Sequence, residues 1–355
     1  MARSAALKRA SVLIIAGGRG TRFWPASREA RPKPLFSLDG KTSLLADTIA
    51  RHLPLVPRER IFVLVSAAHQ APFRRALRPL IPARNLIVEP DARGTAVAIA
   101  YGAAIIKRRL GDGIIAAVAA DHYIATAAQY RRTLADAIRL AAANQAIVAV
   151  GITPTRPETG YGYQKIGPKV GAGFKIEKFV EKPALAIARR MVRSGRYLWN
   201  ASIFVASTRT LAREFAEHCP ALGKAAERLA RTGRTRLARA YGRLRYDSFD
   251  RVIMEKSSNV FGMRARFSWH DVGSWDGLWD AVGGTGGNLL RGNAIALDSE
   301  RVLAYPDSRL MVLFGVRDLI VVDTGDAILV AHREMSPHVR RVTEELKRRG
   351  LHRYL

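Results

Sequence analysis

The chain has 355 residues, of which 48% are apolar and 25% charged, so it holds enough apolar material for one large domain with a smaller one beside it. Its 58 lysines and arginines against 30 acidic residues leave a formal net charge of +28, which fits nucleic acid, an anionic small substrate or a composition bias toward surface arginine. The single cysteine, Cys219, excludes an intramolecular disulfide and a multi-thiolate metal site.

The basic residues are spread along predicted helices, which favours solvated helix faces over a dedicated nucleic-acid-binding arm. No stretch approaches the ~20 consecutive apolar residues of a membrane helix. The apolar run at 11–16 follows basic residues, as in a signal peptide, but it is too short and leads straight into glycines, so we interpret it as a strand. We therefore expect a cytoplasmic protein with no nucleic-acid or membrane partner.

The first half of the chain alternates short β-branched runs with amphipathic stretches of helical period. The predicted strands are 12–16, 61–66, 85–89, 114–119 and 146–152, and the predicted helices are 42–52, 67–77, 95–109 and 127–144. This alternation predicts an α/β fold with a Rossmann-like, mostly parallel sheet flanked by helices. Ligands of such sheets bind beyond the carboxyl ends of the strands, where the glycines after the first strand and the segment 119–123 both lie.

The stretch IIAGGRGTRFWPASREARPKPL, residues 14–35, is a glycine-rich and basic loop behind the first predicted strand. Gly17, Gly18 and Gly20 let backbone N–H groups approach a polyphosphate without an intervening Cβ. Arg22 offers a fork of donors, and Lys33, between two prolines, offers a compact charge of restricted reach. The loop therefore predicts a phosphate-binding site.

Two common phosphate motifs do not describe this loop. A dinucleotide fingerprint requires G-x-G-x-x-G, and Phe23 stands where the third glycine should be. A Walker loop requires G-x-x-x-x-G-K-[ST], and the "GKT" at 40–42 has Leu35 in place of its first glycine. We interpret "GKT" as a turn in which Thr42 caps the next helix.

In the second half of the chain, the pattern of predicted elements changes at the linker GGTGGN, residues 283–288. Before it the chain is helical and basic from 206 to about 240, and four of the five tryptophans fall between Trp199 and Trp279. After it come short predicted strands at 293–297, 310–314, 319–322 and 327–330. A final helix is predicted with Ser336 as its cap and Gly350 at its end. We therefore predict a catalytic domain over 1–285 and, over 289–355, a small β domain, short and β-helix-like, with a terminal helix.

The opening loop resembles the signature of sugar-phosphate nucleotidyltransferases, and "GTRFWPASRE…PKP" is similar in detail to mannose-1-phosphate guanylyltransferases. Eight further motifs follow in the order of that family, from residue 11 to about 347. They are EPDARGTAVAIA (89–100), ADHY (120–123), ETGYGYQKIG (158–167), FVEKP (179–183), WNASIFV (199–205), FDRVIMEKS (249–257), DVGSW (271–275) and RDLIVVDTGDAILV (317–330).

The resemblance implies a nucleotidyltransferase fold of the GT-A-like type and the transfer of GMP from GTP to α-D-mannose 1-phosphate. The products would be GDP-mannose, a precursor in polysaccharide biosynthesis, and pyrophosphate. It places the catalytic roles on Arg22, Lys33, Asp121 and Asp271, with Mg²⁺ held by the two aspartates. The implied nucleotide contacts are Ala16, Gly17, Gly18, Gly20, Thr21, Arg22, Lys33, Glu89, Gly94 and Asp121. The implied sugar-phosphate contacts are Gly162, Glu181, Lys182 and Asn200.

Some positions depart from the family pattern or raise a geometric question. Gly94 stands where the family often has asparagine, near the implied base, and Ser202 stands where it often has glycine, near the implied sugar. These two changes affect specificity more than activity. Adjacent strand residues point to opposite faces, so Glu181 and Lys182 reach one ligand only if the backbone twists between them.

Several functions stay open on the sequence alone. The same chemistry could use another hexose 1-phosphate, or UTP or dTTP. A non-catalytic relative that binds sugar nucleotides is a second class, and nucleic-acid binding driven by the net charge is a third. The resemblance also implies a possible homodimer through the small β domain.

Overall fold

The structure is a computed structural model that describes residues 2–17, 20–38, 42–232, 234–244, 247–282 and 287–355. None of the helices in this part of the chain combines the length and the apolar character needed to cross a bilayer.

The secondary structure alternates strands and helices up to residue 152 and is less regular afterwards. The strands are β1 (Ala10–Ile15), β2 (Ile61–Ser66), β3 (Leu86–Glu89), β4 (Ile114–Ala119), β5 (Tyr123–Ile124), β6 (Ile147–Ile152), β7 (Gly162–Val170), β8 (Gly173–Glu181), β9 (Tyr197–Ser207), β10 (Val260–Arg264), β11 (Trp269–His270), β12 (Leu289–Leu290), β13 (Ala294–Leu297), β14 (Leu303–Tyr305), β15 (Met311–Phe314), β16 (Leu319–Asp323) and β17 (Ile328–His332). The helices are α1 (Ala2–Lys8), α2 (Leu44–His52), α3 (Gln70–Leu77), α4 (Thr95–Leu110), α5 (Ala127–Asn144), α6 (Leu185–Arg193), α7 (Thr208–His218), α8 (Pro220–Leu229), α9 (Arg234–Gly242), α10 (Trp275–Val282) and α11 (Arg340–Arg348). A π-helical turn spans Asp250–Met254.

A nine-stranded sheet in the order β3-β2-β1-β4-β9-β6-β10-β8-β7 forms the centre of the described larger domain. Strands β1 to β4 pair in parallel, as do β6 and β10, while β9 and β8 run against their neighbours. The predicted α/β class is confirmed, and the parallel half of the sheet puts the ends of β1, β3 and β4 along one edge.

Helices cover both faces of this sheet because side chains alternate along each strand. On β1, Leu13 points to the face covered by α4, α7, α8 and α9, whereas Val12 and Ile14 point to the face covered by α2, α3 and α5. The core therefore lies in two apolar layers on either side of the sheet, as an α/β architecture requires.

The small β domain winds β12, β14 and β16 into one parallel sheet, closed by antiparallel β17, and β13 and β15 into a second parallel pair. Its core is continuous with the opening loop. Phe23 of that loop lies 5.0 Å, between ring centroids, from Trp275 of α10, in a cluster that also includes Leu303 and Val322. The back of the loop is thus supported by the small domain.

The predicted elements and the observed ones agree closely where the pattern is local. Strands β2 and β4 and helix α5 have the predicted bounds, and the other elements of the first half differ by one to three residues. The terminal α-helix begins at Arg340, not at the predicted cap Ser336, because Ser336 accepts a hydrogen bond from the backbone N–H of Asp276. Residues 283–286 of the linker lie outside the described residues, so the domain boundaries 285 and 289 stay a prediction.

The start of α2 corrects the predicted cap by one residue. Ser43 is the N-cap, and its Oγ accepts a hydrogen bond from the backbone N–H of Ala46 at 3.2 Å, so Thr42 is not the cap. Residues 40 and 41 of the "GKT" turn lie outside the described residues.

Candidate active site

The glycine-rich loop turns sharply after β1, and Gly20 is the residue that permits the turn. Its φ of 59° lies in the left-handed region, and a Cβ at this position would stand 2.6 Å from the Cβ of Lys33. The next three residues, Thr21 to Phe23, form a short 3-10 helix that carries Arg22. Gly17 and Ala16 lie at the start of the turn, and the backbone N–H of Ala16 donates to the carbonyl oxygen of Leu64, 2.9 Å away. The predicted contact Gly18 lies outside the described residues.

Lys33 stands at the centre of the predicted catalytic group. Its side chain is buried, and its ammonium donates to Asp121 Oδ2 at 2.8 Å and to the main-chain oxygen of Asp271 at 3.0 Å. Asp121 follows β4 and Asp271 follows β11. They lie 88 and 238 positions from Lys33 in the chain, and the one ammonium contacts both. The sequence prediction that these three residues share a site agrees with this geometry.

Electrostatics favour the charged form of Asp121. Burial opposes its ionisation, but the Lys33 ammonium holds the pKa of Asp121 below its ordinary value. Burial lowers the pKa of the neighbouring His122, whose Nδ1 lies 3.1 Å from the indole Nε1 of Trp269. A neutral His122 accepts that indole hydrogen bond.

Arg22 lies near the Asp271 carboxylate. A Cβ on Gly273 would lie 3.3 Å from Arg22 Nη1 and 2.8 Å from Asp271 Oδ2. The guanidinium and the carboxylate are therefore neighbours across a glycine that leaves them room. With Lys33, Arg22 gives the cleft two cations beside two carboxylates.

The residues of this centre fit a divalent metal by the chemistry of their donors. Asp121 and Asp271 offer hard carboxylate oxygens, which suit Mg²⁺ when the remaining ligands are phosphate oxygens and water. Among the described residues, a set of three possible ligand atoms within 4.8 Å of one another occurs at Glu214, Glu217 and His218. That set is structural, because the carboxylate of Glu214 accepts hydrogen bonds from Ser257 and Asn259.

Glu89, at the end of β3, is almost fully buried beneath the turn. A Cβ on Gly17 would lie 3.5 Å from Glu89 Oε1, and Oε2 accepts a short hydrogen bond from the hydroxyl of Tyr241. The sequence analysis did not single out Tyr241, which lies 152 residues away. Gly94, which caps α4, has a φ of 94°, a conformation that asparagine adopts less readily than glycine.

A second group of polar side chains lies at the ends of β7, β8 and β9. Lys182 has a φ of 49°, which supplies the backbone twist that the adjacent pair Glu181 and Lys182 requires, and their side chains meet at 3.3 Å. Gly162 pairs with Glu181 across the hairpin, and a Cβ there would lie 2.7 Å from Glu181 Oε2. The predicted contacts Gly162, Glu181 and Lys182 are therefore adjacent in space.

Asn200 completes this group and has a partner that sequence reasoning missed. Its Nδ2 donates to Asp250 Oδ1 at 2.6 Å, and its Oδ1 accepts from the backbone N–H of Ser202 at 3.2 Å. Ser202 has a φ of 51°, at the position where the family often has glycine. Burial, followed by repulsion from Glu181, raises the pKa of Asp250 to about 7. The available signal was the quoted motif FDRVIMEKS, which contains Asp250.

These features together define a class of protein. The structure has a glycine turn with cations after the first strand, two aspartates around one lysine, and a separate polar group at the ends of β7, β8 and β9. This arrangement is the one expected of a nucleotidyltransferase.

Comparisons with known proteins agree with that class. The Nucleotidyl transferase family matches residues 11–285, and the MannoseP isomerase/GMP-like beta-helix domain matches residues 292–346. The chain belongs to the nucleotidyl transferase family and is a nucleotidyltransferase enzyme with a C-terminal β-helix-like domain.

Individual relatives cover nearly the whole chain. The xanthan biosynthesis protein XanB of Xanthomonas campestris pv. campestris (strain B100) is 36% identical over 95% of this chain and 73% of its own length. The mannose-1-phosphate guanylyltransferase of Escherichia coli (strain K12) is 35% identical over 96% of this chain and 74% of its own length. A crystal structure described as a mannose-1-phosphate geranyltransferase from Thermus thermophilus is 36% identical and covers 96% of this chain and 99% of its own, with a TM-score of 0.87.

Proposed function

We propose that the chain transfers GMP from GTP to α-D-mannose 1-phosphate and releases GDP-mannose and pyrophosphate. The observation that carries the proposal is the Lys33 ammonium, which binds both Asp121 and the main chain of Asp271 beside Arg22 and the glycine turn. The names of several relatives support the choice of substrates.

The reaction needs alignment and charge neutralisation but no covalent intermediate on the protein. An oxygen of the sugar phosphate forms a bond to the α-phosphorus of the triphosphate, and the bond to the β-phosphate oxygen breaks, so that pyrophosphate leaves with the electron pair. Both reactants are anions. A charge pair ~4 Å apart contributes about 1 kcal/mol in water and about 4 kcal/mol at an effective dielectric of 20. Cations inside the cleft therefore contribute far more than the diffuse surface charge.

One group of residues binds the triphosphate, and a second group binds the sugar phosphate. The backbone of the glycine turn, with Thr21, Arg22 and Lys33, holds the triphosphate, and Arg22 faces the charge that develops at the α-phosphate. Asp121 and Asp271 hold Mg²⁺, which supplies positive charge to the phosphate oxygens when it is bound.

The second group binds the sugar phosphate. The Lys182 ammonium holds its phosphate, and Glu181 and Asn200 bond the hexose hydroxyls. Gly162 leaves space for the sugar next to the backbone, since a side chain there would meet Glu181. On the nucleotide side, Glu89 and Gly94 border the base.

A matrix of nucleoside triphosphates and hexose 1-phosphates tests the assignment by release of pyrophosphate. We expect turnover with GTP and mannose 1-phosphate, dependent on Mg²⁺. Preference for UTP or dTTP would contradict the guanylyl assignment, and binding without turnover for every pair would favour a non-catalytic relative.

The variant Asp121→Asn tests the metal site within the same assay. Loss of one carboxylate ligand is expected to lower kcat by about 10²–10³-fold, while the thermal melting curve stays cooperative. The matched control is Asp112→Asn, which changes a surface aspartate near α7 whose Oδ2 lies 2.8 Å from Arg209 Nε. This variant should leave turnover unchanged. Full activity of Asp121→Asn would remove this residue from the metal site.

A further inference from the structure

The Glu89 carboxylate connects the glycine turn to a helix far away in the sequence. Glu89 is 2% exposed and its partner Tyr241, on α9, is fully buried. The Tyr241 ring also packs edge-on against Tyr101 of α4, with ring centroids 5.6 Å apart. Both residues are therefore fixed by packing, and the hydroxyl of Tyr241 points at one oxygen of the carboxylate.

The two oxygens of Glu89 have different surroundings. Oε2 is taken by Tyr241, whereas Oε1 lies on the side of Gly17, 3.5 Å from the position where a Cβ would stand. Any side chain longer than alanine at position 17 would cover Oε1. The carboxylate is thus held at one oxygen and presents the other toward the turn at the nucleotide side of the cleft.

The loop that carries Glu89 has a second attachment to the same region of the chain. The backbone N–H of Phe249 donates to Thr95 Oγ1 at 2.9 Å, at the first residue of α4. The segment from Glu89 to Thr95 is therefore held at both ends by residues between 241 and 249. A helix and turn distant in sequence set the position of the whole loop.

The electrostatic surroundings leave Glu89 poised between its two protonation states. Burial raises the pKa of Glu89 to about 7, the hydrogen bond from Tyr241 lowers it, and repulsion from Asp91 raises it. The titratable groups that act on this carboxylate from the described elements are Tyr241 on α9, Tyr101 on α4 and Asp91 in its own loop. Only the ionised form has both oxygens available as acceptors.

We propose that Tyr241 is a positioning residue for nucleotide binding: its hydroxyl anchors Glu89 as a carboxylate, so that Oε1 accepts a hydrogen bond from the N–H donors of the base. This inference rests on the proposed function, since guanine offers such donors at N1 and N2. It extends that function to a residue which itself does not touch the substrate.

The sign of the pH dependence follows from this arrangement. The acceptor form of Glu89 increases as pH rises through its pKa, so kcat/KM for GTP rises through neutrality. Without the Tyr241 hydroxyl, the carboxylate loses the hydrogen bond that stabilises it. The midpoint of the rise in kcat/KM for GTP then moves to higher pH. A purely structural role would lower activity by the same factor at every pH.

The experiment compares wild type, Tyr241→Phe and Tyr130→Phe in kcat/KM for each substrate across a pH series on both sides of neutrality. Tyr130 is the matched control, since its buried hydroxyl also bonds a side chain, His52 Nε2 at 2.8 Å, on the opposite face of the sheet. For Tyr241→Phe we expect kcat/KM for GTP to fall about fivefold at pH 7 and to approach a tenfold loss at lower pH, as a rise of one unit in the pKa of Glu89 requires, and to recover at alkaline pH. The KM for mannose 1-phosphate should stay unchanged. In Glu89→Gln the rise of kcat/KM for GTP with pH near neutrality should disappear.

Two results would overturn the proposal. One is an unchanged pH profile for GTP in Tyr241→Phe; the other is a uniform loss at every pH that matches Tyr130→Phe. A wild-type enzyme that uses UTP or dTTP would contradict the proposed function instead, and the same comparison with that triphosphate, whose base has an N3–H donor, would still decide the role of Tyr241. If no pair of substrates reacts, the pH dependence of nucleotide affinity, measured by calorimetry, decides it.

Discussion

At the scale of single residues, the polar group at the ends of β7, β8 and β9 includes a buried amide, Asn200, whose orientation is fixed at both ends. Asn200 donates to Asp250 and accepts from the N–H of Ser202, so its amide cannot flip without losing two hydrogen bonds. Unmade hydrogen bonds of buried groups cost about 1–3 kcal/mol each. Asp250 therefore orients a side chain that the proposed function assigns to the hexose.

The pair of variants Asp250→Ala and Asp250→Asn tests this orientation. We expect Asp250→Ala to raise the KM for mannose 1-phosphate about tenfold, equivalent to about 1.4 kcal/mol, because the Asn200 amide loses its acceptor. Asp250→Asn keeps an acceptor oxygen and should restore most of the affinity. Steady-state kinetics with each substrate varied in turn measures both effects. An equal rise in the KM for GTP would show a general disturbance of the fold instead.

At the scale of elements, the hairpin of β7 and β8 brings two adjacent charged side chains together at its end. A regular strand would point Glu181 and Lys182 to opposite faces. The positive φ of Lys182 ends the regular strand and brings the two side chains within 3.3 Å. The hairpin partner opposite Glu181 is Gly162, the residue type that leaves its carboxylate space.

Gly162→Ala should therefore disturb sugar-phosphate binding selectively. The added methyl would lie 2.7 Å from Glu181 Oε2 and 3.0 Å from Phe179 Cζ, so the carboxylate must move. We expect the KM for mannose 1-phosphate to rise by about tenfold or more, near 1.4 kcal/mol in binding free energy, with the KM for GTP unchanged. Gly287→Ala is the control, because within the described part of the chain, its two neighbours aside, no atom lies within 4 Å of the added methyl. Equal kinetics for the two variants would contradict the placement of the sugar.

At the scale of the whole molecule, the small β domain packs against the glycine-rich loop. Arg28 of the loop pairs with Asp326 at 2.6 Å, and the indole of Trp24 donates to the carbonyl oxygen of Tyr354 at 2.8 Å. Trp275 adds an aromatic contact from α10. The glycine-rich loop and the C-terminal strands therefore share one core, although they are about 300 residues apart.

The same small domain carries an apolar face that we propose as the dimer contact. Alternate residues of the parallel pair β13 and β15 are exposed side by side: Ile295 with Val312, and Leu297 with Phe314, of which Phe314 is 69% exposed. Contiguous exposed apolar patches are typical of association sites. We expect sedimentation velocity to give a dimer for the wild type and a monomer for Phe314→Asp. Leu53→Asp, which changes an exposed leucine just after α2, should stay dimeric; a monomeric wild type would contradict the proposed dimer.

Local patterns in the sequence determined much of the fold and part of the site. Strands β2 and β4 and helix α5 were predictable because apolar periodicity and end signals are contained within each segment. The glycine loop could be predicted as a candidate phosphate site because Gly20, Arg22 and Lys33 lie close together in the chain, and that role stays a prediction. The motif order identified the family, which the comparisons confirmed.

Tertiary structure alone decided which distant residues meet. It inserts β9 between β4 and β6 and brings Lys33 to Asp121 and Asp271. It also forms the pairs Tyr241–Glu89 and Asn200–Asp250, whose members lie far apart in the chain. Periodicity records how each segment is buried, but it carries no information about its partner. The positive φ of Lys182 is equally invisible to the sequence, since nothing local in the motif EKP requires it.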